Sequence, residues 1–104
     1  MEFINRIELQ GFVGNVKVNT IGETKSVRFS LCTQNAYNSE SEGTVVDCTW
    51  FNCLAWGDAV QIKKHDIVHL KGRIKEYSYT GVDGADRYTW EVICKELEIL
   101  PKQD

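Results

Sequence analysis

Apolar and polar residues alternate along most of this chain, most clearly from Thr49 to Gly57, TWFNCLAWG. In a strand, successive side chains point to opposite faces. Trp50, Asn52, Leu54 and Trp56 then share one row, and Thr49, Phe51, Cys53 and Ala55 share the other. The second row is small or apolar, a face to pack. The first carries two large flat rings whose N–H groups need partners when buried; it is either a second core or a platform to be covered. The same period marks four more segments. Asn5–Val13 sets Ile7 and Leu9 opposite Arg6, Glu8 and Gln10, and Gly11 and Gly14 point to a bend or bulge in a curved strand. Val27–Gln34 turns Val27, Phe29 and Leu31 inward. Ile67–Tyr79 places Val68, Leu70, Gly72 and Ile74 on one face and His69, Lys71, Arg73, Lys75, Tyr77 and Tyr79 on the other. Arg87–Leu100 holds Tyr88, Trp90, Val92 and Cys94 in one phase, and Pro101 ends it.

Between these runs the alternation fails in ways that predict the connections. Asn19–Lys25 reads as a turn centred on Gly22, and Thr80–Ala85 as a turn rich in Gly and Asp. Asn35–Gly43 is polar and reads as a hairpin loop carrying one ring, Tyr37. Asp58–His65 predicts a short helix, with Asp58 as its N-cap and Lys63, Lys64 and His65 at its negative end. The order predicts an all-β domain spanning residues 1–104: a five-stranded barrel of the OB type with one short helix between strands three and four.

Charge changes this picture only through its placement. The net charge is −3, but the acids gather at Glu40, Glu42 and Asp47 and again at Asp83 and Asp86, away from the cation row of Lys71, Arg73 and Lys75. Those cations lead along one face into Tyr77 and Tyr79. Rings on which bases stack and cations that track phosphates are the parts of a groove for single-stranded nucleic acid. Trp50, Trp56, Tyr37 and Tyr79 are the candidate platforms, and Lys71, Arg73 and Lys75 the candidate phosphate contacts, with Arg28, Arg6 and Arg87 as further candidates. The plainer alternative makes the rings core or subunit contacts and the cation row a solvated face.

Other classes find little support. His65 and His69 have no Ser or Cys arranged as a nucleophile, and no Gly-rich phosphate loop is present, so no enzyme is expected. Cys32, Cys48, Cys53 and Cys94 form no CxxC pair and read as free thiols, so neither metal nor cofactor is expected. No apolar run approaches about 20 residues and no secretory signal is visible, which predicts a cytoplasmic protein without a membrane partner.

The stretches NRIELQGFVGN, FSLCT, TWFNCLAWG, KKHDIVHLKGRI and DGADRYTWEV together resemble the bacterial single-stranded DNA-binding protein family over nearly the whole chain. The resemblance implies OB-fold subunits, usually assembled into homotetramers, that coat single-stranded DNA in replication, recombination and repair; a tetramer is therefore expected over a dimer, which would suit the rival reading given below. It puts the family's stacking aromatics at Trp50, Trp56, Tyr37 and Tyr79, with Tyr at two positions where Trp is common and Trp at Trp56 where Phe is common. A basic position of the family's third strand falls on Asn52, which removes a charge. The predicted helix region is shorter than usual. The family's acidic C-terminal tip has no counterpart in this sequence, so recruitment of repair enzymes through such a tip is not expected. A primosomal OB protein acting mainly through protein contacts is the rival reading, and an RNA-binding OB domain a weaker one.

Overall fold

The computed structural model describes residues 1–57 and 61–101. Among them, five strands close into a barrel: β1 (Ile7–Ile21), β2 (Thr24–Ser39), β3 (Gly43–Trp56), β4 (Ile67–Thr80) and β5 (Asp86–Ile99), in the order β1-β2-β3-β5-β4 with β4 returning to β1. The inward rows expected from the alternation form the core: Leu9, Val13, Val27, Phe29, Leu31, Cys53, Ala55, Val68, Leu70, Val92 and Cys94, with Ile62 closing it. Closure depends on β1, which pairs with β4 through Phe12 and with β2 from Phe12 onward, with a bulge between Val13 and Val16. At this corner a Cβ on Gly11 would stand 2.0 Å from the Cys32 carbonyl oxygen, and one on Gly72 equally close to that of Ile93. Only a residue without a side chain lets the strands approach so far.

Two expectations need correction. The helix over Asp58–His65 falls partly on residues 58–60, which lie outside the described residues, and residues 62–66 are not helical. Lys63 and Asp66 form a tight turn instead, and His65 takes φ 78°. Backbone hydrogen bonds from His65 to Val13 and from Val13 to Asp66 stitch this turn to β1, and Ile62 just before it plugs the barrel. The polar stretch from Asn35 is likewise no loop: the β2–β3 ladder continues to Ser39 opposite Gly43. Tyr37 therefore sits on a paired strand opposite Val45. Polar composition marked solvent exposure there, not the end of backbone pairing.

The strands outrun the barrel. Beyond Cys32, β2 has only β3 beside it, and beyond Gly72, β4 has only β5. β3 and β5 touch, in parallel, at Cys53–Val92 and Leu54–Ile93. The radius of gyration, 16.4 Å, exceeds the ~13 Å of a compact chain of this size, because two hairpin arms project from the body.

Candidate functional site

The parallel seam between β3 and β5 is only two residue pairs long, and N-terminal to it the two strands splay. Both arms lie on that side of the seam, so the unpaired edges of β3 and β5 face each other across a cleft. One cavity, of 420 Å³, is walled by Trp50, Phe51 and Asn52 from β3, by Trp90, Glu91 and Val92 from β5, and by Ile74 from β4. A second, of 320 Å³, continues past Asn52, Trp90 and Glu91 to Arg28 and Ser30 of β2, Lys17 of β1, and Tyr77 of β4. Trp50 is 53% exposed and Trp90 59%. An indole left that open is a platform lacking its cover.

Trp50 is held rather than free. Its ring meets Phe12 edge-on, with centroids 5.6 Å apart. It also lies across Gly14, where a Cβ would come within 2.7 Å of the ring. The bulge beside Gly14 lets the Asn15 amide donate to the Ser30 hydroxyl at 2.9 Å. The glycine that the sequence marked as a bend therefore also makes room for the indole.

Arg28 stands opposite Leu54 and reaches over it to β5, where its Nε donates to Glu91 Oε2 at 3.0 Å. This explains why Leu54, on the outward row, is only 6% exposed. Lys75 places its ammonium 4.9 Å from the centre of the Tyr77 ring, at the cleft's β4 side. Trp50, Arg28 and, through Tyr77, Lys75 are thus gathered around one cleft.

The remaining candidates lie elsewhere. Lys71 and Arg73 line a separate depression with Arg6, Asn5 and Glu96. Asn5 fixes the start of the chain there by exchanging two side-chain hydrogen bonds with the backbone of Ile74. Trp56, 47% exposed, stands opposite Ser26 at the far end of β3, roughly 20 Å from Trp50 along the strand. Tyr37 is exposed on the first arm, in the phase of Phe29 and Leu31 and so opposite to Trp50. Tyr79 and Arg87 are paired across the second arm, and Arg87 already donates to Asp83 at 2.8 Å.

Trp90 is a cleft residue that sequence reasoning did not single out. Its phase is shared with Val92 and Cys94, which the structure buries. Beyond the seam an inward phase no longer means burial, because no strand covers it. The available signal was Trp90's place in DGADRYTWEV, close to a charged turn and two residues before Val92.

The chemistry on offer is stacking and ion pairing. His69 is hydrogen-bonded to Glu8 at 2.6 Å across β1 and β4, away from the cleft, and His65 lies in the turn before β4. Of the thiols, Cys32, Cys53 and Cys94 are buried, whereas Cys48 is exposed. A hydrogen bond to Cys94 together with burial pushes the Cys53 thiol up, which keeps it protonated and inert. Among the described residues no helix is long and apolar enough to cross a membrane.

Comparison with known proteins bears on this geometry. The sequence model described as the Single-strand binding protein family matches residues 4–100. A protein named Single-stranded DNA-binding protein from Neisseria meningitidis is 28% identical over 105 residues, covering 93% of this chain and 60% of its own length. Single-stranded DNA-binding protein 1 of Xylella fastidiosa is 25% identical over 112 residues, covering 99% of this chain and 82% of its own. The chain thus spans about 60% of the length of the Neisseria relative. In fold it is similar to the chain solved as "Plasmodium falciparum SSB complex with ssDNA", with TM-score 0.82, 18% identity and coverage of 97% and 98%. A small single-stranded DNA-binding protein from Streptomyces coelicolor gives TM-score 0.70 at 19% identity, covering 90% and 92%.

Proposed function

Because this chain belongs to the single-strand binding protein family, we propose that it is a non-catalytic domain that binds and coats single-stranded DNA with little regard to sequence. The observation that carries this reading is the cleft between the splayed edges of β3 and β5, which Trp50 and Trp90 both line while more than half exposed. Bases stack on the indoles, while Lys17 and Lys75 offer positive charge to the backbone. Stacking of about 1–3 kcal/mol per base is available to every base, which is why sequence matters little. A longer strand would continue from the cleft to Tyr79 and Tyr37 on the arms, to Trp56, and over β4 to Lys71, Arg73 and Arg6. Work in replication, recombination and repair, a cytoplasmic setting and assembly into homotetramers rather than dimers belong to the same proposal, supported by the family membership.

Indole fluorescence tests it. Oligo-dT added at low salt quenches the emission of Trp50 and Trp90, and the quenching reverses as salt displaces the strand. No quenching at micromolar protein would sink the proposal. Light scattering with and without a long oligonucleotide reads the subunit count.

A further inference from the structure

Glu91 sits oddly in a cleft meant for a polyanion. A carboxylate repels phosphate, yet this one lines both cavities and leaves only 12% of its side chain exposed. Arg28 takes Oε2 and balances the charge. Each carboxylate oxygen accepts more than one hydrogen bond, so with Arg28 on Oε2, Oε1 and the second lone pair of Oε2 remain as acceptors in a residue that lines the cleft. The register places Asn52 beside Glu91: they are one step back from the Cys53–Val92 pair, in the same phase. Asn52 lines the same two cavities and contributes amide donors.

An acceptor carboxylate beside an amide donor, next to an open indole, matches one nucleobase edge better than the others. Guanine presents N1–H and N2–H₂ as adjacent donors, with O6 as an acceptor beside them. Thymine offers one donor, and adenine and cytosine one exocyclic amine each. A stacked guanine can give both donors to Glu91 and take a hydrogen bond from Asn52 at O6. We propose that Asn52 and Glu91, with Trp50 of the same row as Asn52 as stacking wall, form a guanine-selective subsite within an otherwise sequence-tolerant cleft. This rests on the single-strand-binding reading above. It also gives Asn52 a role where the family resemblance expects a basic residue.

The test uses the full chain and short oligo-dT carrying one central dG, dA or dI, with affinities read by indole quenching. The dG oligonucleotide binds about tenfold tighter than plain oligo-dT, as one good bidentate base contact allows. The dI version, lacking N2–H₂, loses much of that gain. The dA version, which stacks as a purine but lacks N1–H and O6, gains little. In Glu91→Gln the dG-to-dT ratio falls toward one. If that variant does not fold by circular dichroism, the exposed Asn52→Ala serves instead and lowers the same ratio. Equal affinity for dG and dT, an equal gain for dA and dG, or a ratio untouched by these substitutions overturns the subsite. Failure of plain oligo-dT to bind overturns the parent reading instead.

Discussion

The cleft and the depression on β4 are built from similar materials and differ in what the strands do beneath them. At the cleft β3 and β5 part after a two-pair seam, so Trp50, Trp90 and Asn52 face a gap. Around Lys71 and Arg73 the β4–β5 ladder continues on one side to Glu96 and Ile93, with a bulge between Lys71 and Gly72, and on the other β1 and Asn5 fill the edge. The first region exposes aromatic faces between two walls; the second exposes charge on a closed sheet. Backbone separation, more than side-chain type, makes one a receptacle and the other a surface.

Several substitutions would break or sharpen that contrast. The largest effect falls on the indoles: Trp50→Ala and Trp90→Ala each lose about 1–3 kcal/mol of binding to short oligo-dT while the barrel stays folded. Titration at matched salt reads this, and a Trp90 variant with full affinity would remove the β5 wall from the site. Next comes Gly14→Val, which puts carbon where the Trp50 ring lies. It shifts Trp50 emission and costs no more than deletion of the ring itself, about 1–3 kcal/mol at most; unchanged emission and affinity would show that the ring adapts.

A smaller effect follows from Lys71→Ala combined with Arg73→Ala. Short oligonucleotides held in the cleft bind as before, whereas long ones lose affinity and salt slope, by roughly 0.7 per phosphate contact removed from a single strand. A loss already present with the shortest oligonucleotides would merge the two regions into one site. The smallest effect belongs to the second arm. Backbone donation from Ala85 and the Arg87 guanidinium hold the Asp83 carboxyl below its ordinary value. A carboxylate depressed on folding stabilises the turn above the ordinary Asp value of about 3.9 and ceases to do so as pH falls through the lowered one. Asp83→Asn therefore loosens the turn slightly at neutral pH, flattens its response to acid, and frees Arg87 to tighten binding a little. Amide exchange across Gly81–Asp86 measures the first effect, and titration of the variant the last.

How much could be read beforehand differs between core and site. Inward rows such as Val27, Phe29 and Leu31, or Val68 and Leu70, were legible because the period of a half-buried strand is written in side-chain type. The bend at Gly11 and Gly14 was legible because only glycine tolerates the crossing there. The helix over Asp58–His65 failed in its described half because capping residues and terminal charges equally suit a tight turn, and the bonds to Val13 decided between them. Tyr37 was legible as an exposed ring but not as part of a strand, because polar composition does not end backbone pairing; for Trp90, phase tells which side of a strand a residue is on, not whether another strand covers that side.

The sequence by itself determined the alternation, the strand count, the inward rows and the presence of rings and cations, since each is a property of a residue and its near neighbours. Only the tertiary structure decided which of those rings share a cleft, that Arg28 is spent on Glu91, and that Lys71 and Arg73 lie apart from Trp50. Those outcomes depend on where β3 meets β5 and where they part. Contacts between residues some forty positions apart are set by barrel closure, which local patterning does not encode.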